Sequence, residues 1–502
     1  MRHKSAVASY AVLSMLCVAC SSDSGVAPVA TGTVLTLLVT PTLRVGQTAQ
    51  VVAALKDSTG ALSTPAAVTF AIDQPALASL TLDGVLTALN SGTVRVTATA
   101  GTLSSVATVS VTSALVVLPA AQTWTFCTNA GSTCDYVGLR DVRLGGPNGP
   151  YVQQTAYGTV PCASYGFGNQ DPAPGQAQHC DYGPMKLATI TNPQPGMAGL
   201  PATINVPLGN PGASINESQP ASDSPVFTDG SGSFRTTCTL ASYAFDDPVV
   251  YPGQPGASHL HVFFGNTAIN AGSTPQSVIS TGNSTCRGGT LNRTGYWMPA
   301  LFDSRTGEIQ VPQDGVFYYK TGYNIDPTTV VPFPPGLRMI AGNKLATGPQ
   351  DIADWICRDS QQPGVNGAIP TTCAVGDAVR LEIEFPQCWD GKNLDSPDHK
   401  SHMAYPNYAN PPQRSKCPAD HPVTLPVITE HFDFLVTATS APQFWRLSSD
   451  MYSTSLPGGL SAHADWMYGW DKTTMETIVK ACLNKAVDCG VGSIGNGFEL
   501  FQ

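Results

Sequence analysis

Short apolar runs with a two-residue alternation, cut apart by glycine and proline, recur along this chain and leave little room for any architecture but β-sheet. The runs at 34–40, 49–55, 67–72, 80–82, 85–88 and 94–100 alternate or stay apolar, separated by Gly, Pro and Asp at the spacing of a sandwich. With 48 Gly and 41 Pro in 502 residues, and 12% charged residues where a soluble protein carries about a quarter, the composition points to an extracellular, β-rich protein. The length favours about three units, each able to bury a core. The expected fold class is all-β and multi-domain: an immunoglobulin-like sandwich, a small disulfide-stapled β module, and a larger β-sandwich or jelly-roll domain with a short C-terminal helix. The helix is expected near 472–485, with Thr473 as cap and Glu476 three residues on. A net charge of −10 and the scarcity of Lys/Arg runs leave no electrostatic footprint for nucleic acid, which is excluded as a partner.

The chain opens on Met1-Arg2-His3-Lys4, and a mostly apolar run from Ala6 to Ala19 follows, too short for a bilayer and shaped like a secretory signal. Leu16-Cys17-Val18-Ala19-Cys20 resembles a bacterial lipoprotein signal, although Cys17 stands where that pattern prefers Leu. The resemblance implies lipidation at Cys20 and a membrane partner reached through the lipid; simple secretion is the alternative. Either way the protein is expected to be exported, to the cell surface, the periplasm or the medium. Residues 1–20 are expected as signal peptide and 21–32 as a flexible linker. Of 14 cysteines, 12 remain after Cys17 and Cys20, an even number that implies disulfides in an exported chain. Sequence does not fix their connectivity. Local spacing makes Cys127 with Cys134, Cys162 with Cys180, Cys357 with Cys373, Cys388 with Cys417, and Cys482 with Cys489 the simplest pairs, leaving Cys238 with Cys286. No paired CxxC pattern argues for a thiolate metal site.

The texture "VTPTLRVGQTAQVVAALKD" and "VTFAIDQPALASLTLDGVLTALNSGTVRVTATAG" resembles a bacterial immunoglobulin-like domain of group 2 over 33–113. Such domains are spacers or adhesive modules, so no catalysis is expected there. Residues 121–183, with "FC", "DPAPG" and four cysteines, resemble a small stapled β module appended to secreted carbohydrate-active proteins. Trp124, Tyr136, Tyr151 and Tyr157 are either a platform for sugar rings or the core of a domain otherwise too small to have one. Residues 184–225, rich in Pro, Gly and Ser, read as a linker or exposed loop. From 226 to 502, "SHLHVFFGN", "CWDGKNLDSPDHKSHMAYP" and "SAHADWMYGWD" resemble a secreted fungal and bacterial family of unknown function, the likeness reaching about residue 490. The resemblance implies export and a shared pocket, and no chemistry.

Seven of the nine histidines lie in this last region. In "SHLHVFF" a strand would project His259 and His261 from one face and bury Leu260 and Val262 on the other. Asp395, Asp398, His399 and His402 sit in a loop bracketed by Cys388 and Cys417. His431 with Asp433, and His463 with Asp465, are further same-face pairs. His259 and His261 with a third His or Asp match imidazole and carboxylate ligation of a divalent metal, the one cofactor considered. An Asp orienting a His would instead make a metal-free general base. The bland alternative is that these histidines only satisfy buried hydrogen bonds. His259, His261, His402, His463, Asp465 and Asp398 are the catalytic candidates, and the first five of them are expected to converge on one pocket. Asn266, Arg338, Tyr405 and Trp470 are the substrate-binding candidates, with His402 or Tyr405 as base and Arg338 and Asn266 neutralising a uronate in a lyase. Trp297, Trp389, Trp466 and Trp470 would suit sugar stacking, although such residues are more often core. No GxSxG elbow supports serine chemistry. Paired carboxylates for glycoside hydrolysis could come from Asp395, Asp398, Glu430, Asp433 and Asp465, but their separation, which decides mechanism, is not visible in sequence. The function expected is a glycan-active protein that cleaves a polysaccharide or cell-wall glycan, as hydrolase or lyase. The alternatives are a non-catalytic carbohydrate-binding or adhesion protein, and a secreted metal-binding protein.

Overall fold

The computed structural model describes residues 32–39, 41–58, 61–112, 123–194, 199–216, 218–227 and 230–501. The expected signal peptide, the Cys20 lipidation site and nearly all of the first linker lie outside them. The protein is almost all β, 42% strand against 7% helix, and it divides into two compact units, Met1–Ala121 and Gln122–Gln502. No helix of the described residues is long and apolar enough to cross a membrane.

In the first unit the long hairpin Gly92–Ala100 and Leu103–Thr112 forms the spine of a four-stranded sheet, with Thr42–Arg44 and Thr69–Ile72 at its edges. Two three-stranded sheets complete the unit. Alternation places Val94, Val96, Val109 and Val111 inward, where they meet Leu86 and Ala78.

The second unit begins with a four-stranded antiparallel sheet, in the order Thr125–Asn129, His179–Met185, Thr133–Gly145 and Tyr151–Pro161. It is stapled by Cys127–Cys134 and Cys162–Cys180. Instead of a free linker, the stretch that follows forms the hairpin Leu187–Thr191 and Thr203–Pro207. Its Ile204 and Val206, with Leu200, enter the main core, and Tyr157 of the stapled sheet packs against the same core. Those apolar contacts hold the stapled sheet, the hairpin and the C-terminal region in one unit.

The main body is a β-sandwich. A seven-stranded sheet runs in the order Val226–Phe227, Val487–Val491, Ser233–Cys238, Gly315–Lys320, Val427–Leu435, Ala378–Glu384 and Ala353–Cys357. A five-stranded sheet runs Leu240–Ala244, His261–Gly265, Gly295–Pro299, His463–Met467 and Arg338–Gly342. The two share one aromatic-rich core, in which Tyr296 stacks on Phe317 at 3.7 Å and Phe264 meets Phe432 at 5.2 Å between ring centroids. The other face of the five-stranded sheet is also covered. Phe263, Trp297 and Met467 pack there against Val249, Ile269 and Val278, the last from the short helix Pro275–Ser280. Both faces of this sheet are therefore buried, and polar side chains pointing out of it are enclosed.

Four more disulfides join Cys238–Cys286, Cys357–Cys373, Cys388–Cys417 and Cys482–Cys489, so five of the six pairs are those that local spacing favoured and the sixth, Cys238–Cys286, is the one it left over. The C-terminal helix spans Lys472–Ile478 and continues as a π-turn to Leu483. Its cap is Asp471, whose carboxylate accepts from the Thr474 amide at 2.8 Å, and not Thr473. Glu476 pairs with Lys480 at 3.2 Å instead of closing a capping box.

Candidate metal centre

The strand period that sends Leu260, Val262 and Phe264 into the sandwich core sends His259, His261 and Phe263 to the outer face. His259 stands just before the strand, which starts at His261. Two strands away, Ala464 and Trp466 face the core, leaving His463, Asp465 and Met467 outside. The intervening strand pairs Pro299 with His261 and Trp297 with Asp465. The same register carries Pro299 to the level of His463, between the two imidazole-bearing strands.

They do meet. Ring centroids are 4.3 Å apart for His259 and His261, 5.0 Å for His259 and His463, and 6.1 Å for His261 and His463. One nitrogen from each lies within 4.8 Å of the other two. His261 donates Nδ1–H to the Asp246 carbonyl at 2.9 Å, and His463 donates Nδ1–H to the Ser461 carbonyl at 2.8 Å. With Nδ1 protonated in both, the Nε2 lone pairs are left free. Nε2 of His259 and of His261 is buried with no hydrogen-bond partner among the described residues, a loss of about 1–3 kcal/mol each if nothing occupies the centre. Burial, more than the neighbouring imidazoles and lysines, holds the proton affinity of all three below the usual histidine range, that of His463 down to about 3. The cluster is neutral at physiological pH, the form in which imidazole ligates a metal.

Asp465 lies on the same face, 1% exposed, and neither carboxyl oxygen has a partner among the described residues. Burial pushes its pKa well up, the charge of Asp247 adds to this, and Lys400 and Lys344 oppose it. A cavity of about 210 Å³ reaches the cluster, lined by Asp247, Lys344, Asp398, Lys400, His463 and Asp465 among others. Its far wall is the loop braced by Cys388–Cys417. There His399 takes a left-handed backbone (φ 58°) and bonds Asp395 at 3.0 Å, and Asp395 pairs with Arg338 at 2.9 Å. Asp398 accepts from the Ser401 amide and from the Ser396 and Ser401 hydroxyls, which hold its carboxyl well below the usual range.

Of the five residues expected to converge, His259, His261, His463 and Asp465 come together, and Asp398 reaches the same cavity. His402 does not join them. Its Nδ1 meets the Ser396 hydroxyl at 2.9 Å and its Nε2 the Arg338 carbonyl at 2.7 Å, which makes it a buried brace for the loop. Asn266 is likewise structural, donating to the carbonyls of Val278 and Thr281 and accepting from the Ala268 amide. The Trp470 indole donates to Tyr319 Oη at 2.9 Å inside the core, and Trp297 and Trp466 are fully buried, so these rings offer no stacking face. Trp389 alone of the four is half-buried. The Tyr405 hydroxyl donates to the Glu384 carbonyl at 2.8 Å, away from the imidazoles, and Arg338 is committed to Asp395. Asp433 is held by Arg380 at 2.6 and 2.9 Å, and Glu430 lies inside the sandwich, so neither reaches the cavity. In the stapled sheet Arg143 sits over both Trp124 and Tyr151, while Tyr136 packs on Tyr182; these aromatics form no single platform. Asp247, Lys344 and Lys400 were not singled out in the sequence. Lys400 was the most accessible of them, lying between His399 and His402 in the motif "DHKSH".

Residues 247–470 match the family model described as Domain of unknown function (DUF1996), and every side chain of the cluster falls inside that span. No curated protein matches the chain. Among solved structures, the crystal structure of the S-layer protein SbsC domains 4 and 5 is similar at 16% identity, over 35% of this chain and 96% of that one, with a TM-score of 0.14. That superposition is too slight to carry an argument about fold or function.

Proposed function

We propose that this chain is an exported protein, surface-anchored or secreted, that binds a divalent metal through His259, His261 and His463 and uses it to cleave a polysaccharide. The observation that carries the reading is the convergence of three neutral imidazoles, two of them locked with Nδ1–H on a backbone carbonyl. Such an outer partner fixes the tautomer and ring direction of metal-binding histidines. Three nitrogen ligands with an open position suit a catalytic ion such as zinc, which would supply an activated water or a Lewis acid. Asp465, buried two residues from His463 with neither carboxyl oxygen partnered, would stand beside such an ion as the group to hold a proton. The signal-like N-terminus supports export.

A second reading, metal binding without turnover, is favoured by one feature: the Nε2 atoms of His259 and His261 are closed off from solvent, as in a structural site. The test is metal analysis of the purified full chain, followed by release of reducing or unsaturated ends from a panel of glycans. One equivalent of metal and product release are expected, with Asp465→Asn keeping the metal and losing the product. Protein that neither carries nor takes up metal overturns the proposal. Metal without product from any glycan favours the second reading, and glycan binding without metal or product an adhesion protein.

A further inference from the structure

Two ammonium groups stand beside the candidate centre without an ion partner. Lys344 and Lys400 line the cavity together with His463 and Asp465. Lys344 donates to the Tyr251 hydroxyl at 3.2 Å and lies over its ring, 5.1 Å from the centroid. Lys400 donates to the Gly342 carbonyl. Neither makes an ion pair with a carboxylate among the described residues, although seven other lysine or arginine residues of this unit pair with aspartates. The field of Lys344 reaches all three imidazoles and that of Lys400 reaches His463 and Asp465. A dication placed on the imidazoles would add to this positive charge, which Asp247, Asp398 and Asp465 offset only in part. The arrangement calls for an anion on the cavity side.

The size and charge of the cavity limit which anion. At about 210 Å³ it is smaller than the ~300 Å³ at which sites for drug-sized ligands begin. It has room for one small acidic group or one sugar unit. With a dication and two ammonium groups against three aspartates the surplus is about one positive charge, which a singly charged carboxylate balances and a doubly charged phosphate exceeds.

We infer that the substrate of this centre is an acidic polysaccharide, recognised by the carboxylate of one uronate unit seated between the Lys344 and Lys400 ammonium groups. The inference rests on the metal and glycan reading of the same site and names its substrate class. It is tested by titrating the full chain, its metal content measured separately, with trigalacturonate, with the uncharged galactose trimer and with inorganic phosphate. Wild type should bind the charged trimer at least about tenfold more tightly than the neutral one. Lys344→Gln and Lys400→Gln should each lose about that factor, Lys344→Arg should restore most of it, and equimolar phosphate should not compete. Equal affinity for the two trimers, or unchanged affinity in both Gln variants, overturns the inference. So does displacement of the trimer by phosphate, which would make the site one for free anions. Metal-bearing protein that ignores the charge of the trimer sinks this inference alone. Metal-free protein that still prefers the charged trimer sinks the metal reading and leaves the uronate assignment standing.

Discussion

The first unit closes its core on small aliphatic side chains, Leu86, Val94, Val96 and Val109 among them, and none of its described polar side chains is buried. The larger unit encloses three imidazoles and the carboxyls of Glu430 and Asp465 without hydrogen-bond partners for several of their atoms. The same strand alternation builds both. The difference lies in what the outward positions meet: solvent in the first unit, and a second covering layer over the five-stranded sheet in the other. Buried polar groups without partners cost stability, and a fold that gathers three imidazoles and the Asp465 carboxyl on one face is holding them for a ligand or a reaction.

The largest effect is expected at the imidazoles. His261→Ala should lower metal affinity by more than about 100-fold, since loss of an outer partner alone costs about 10–100-fold. In wild type, metal at about 100 times its dissociation constant should raise the stability of the unit that holds it by about 2.7 kcal/mol and leave the first unit's unfolding unchanged. Calorimetry with and without metal reads both. A metal-dependent shift in the first unit's transition, or an unshifted second one in metal-bearing protein, would remove the contrast.

Acid should act next most strongly. The imidazoles of His431 and His463 are both pushed down to about 3, chiefly by burial. Each takes its proton more readily once unfolded, so its contribution to metal-free stability is full above about pH 6.5 and is lost as pH falls towards about 3. The buried carboxyls of Glu430 and Asp465 work in the opposite sense. Their pKa is raised, so their contribution is full at low pH and is lost as pH rises through their folded-state pKa. The larger unit should therefore pass through a stability optimum. The first unit, whose described residues bury no titratable side chain, should change little over the same range. Urea midpoints measured by pH for the two transitions give the comparison, and parallel profiles would contradict it.

A smaller, purely apolar effect belongs to the first unit. Val96→Ala removes two buried methyl groups and should cost about 2 kcal/mol there. Metal content and any glycan activity should be unaffected; a loss of either would tie the two units together.

The period of two that makes sheets also told which side chains share a face. His259 with His261, and His463 with Asp465, were legible for that reason, as was the all-β class. Which strands lie side by side was not, because the order joining the His261, Gly295 and His463 strands spans about two hundred residues and is decided by packing of the whole core. His402, Asn266 and Trp470 are the right residue types in suggestive motifs, yet each is captured by a nearby partner: the Ser396 hydroxyl and Arg338 carbonyl, the helix-end carbonyls of Val278 and Thr281, and the Tyr319 hydroxyl. Residue type does not reveal such capture. The 184–225 stretch misled in the opposite direction. Its Pro and Gly hid the alternation of Ile204 and Val206, which suffices for a hairpin once a core lies beneath it.

The smallest predicted effect separates a polar group held by the fold from one held for chemistry. The Tyr405 hydroxyl has the reach of a general base in a lyase, but it donates to the Glu384 carbonyl at 2.8 Å, and burial with the nearby Glu384 charge raises its pKa further. A phenol that gives its proton to a backbone carbonyl and resists ionisation is poorly placed to accept one. Tyr405→Phe keeps the ring and removes that one hydrogen bond, so stability should fall by about 1 kcal/mol, with metal content and glycan cleavage unchanged. The Asp465→Asn variant should behave in the reverse way, losing turnover while keeping the fold. If Tyr405→Phe abolishes cleavage while its unfolding midpoint hardly moves, the proton acceptor lies on the Tyr405 side of the loop, and Asp465 is only a buried neighbour of the imidazoles.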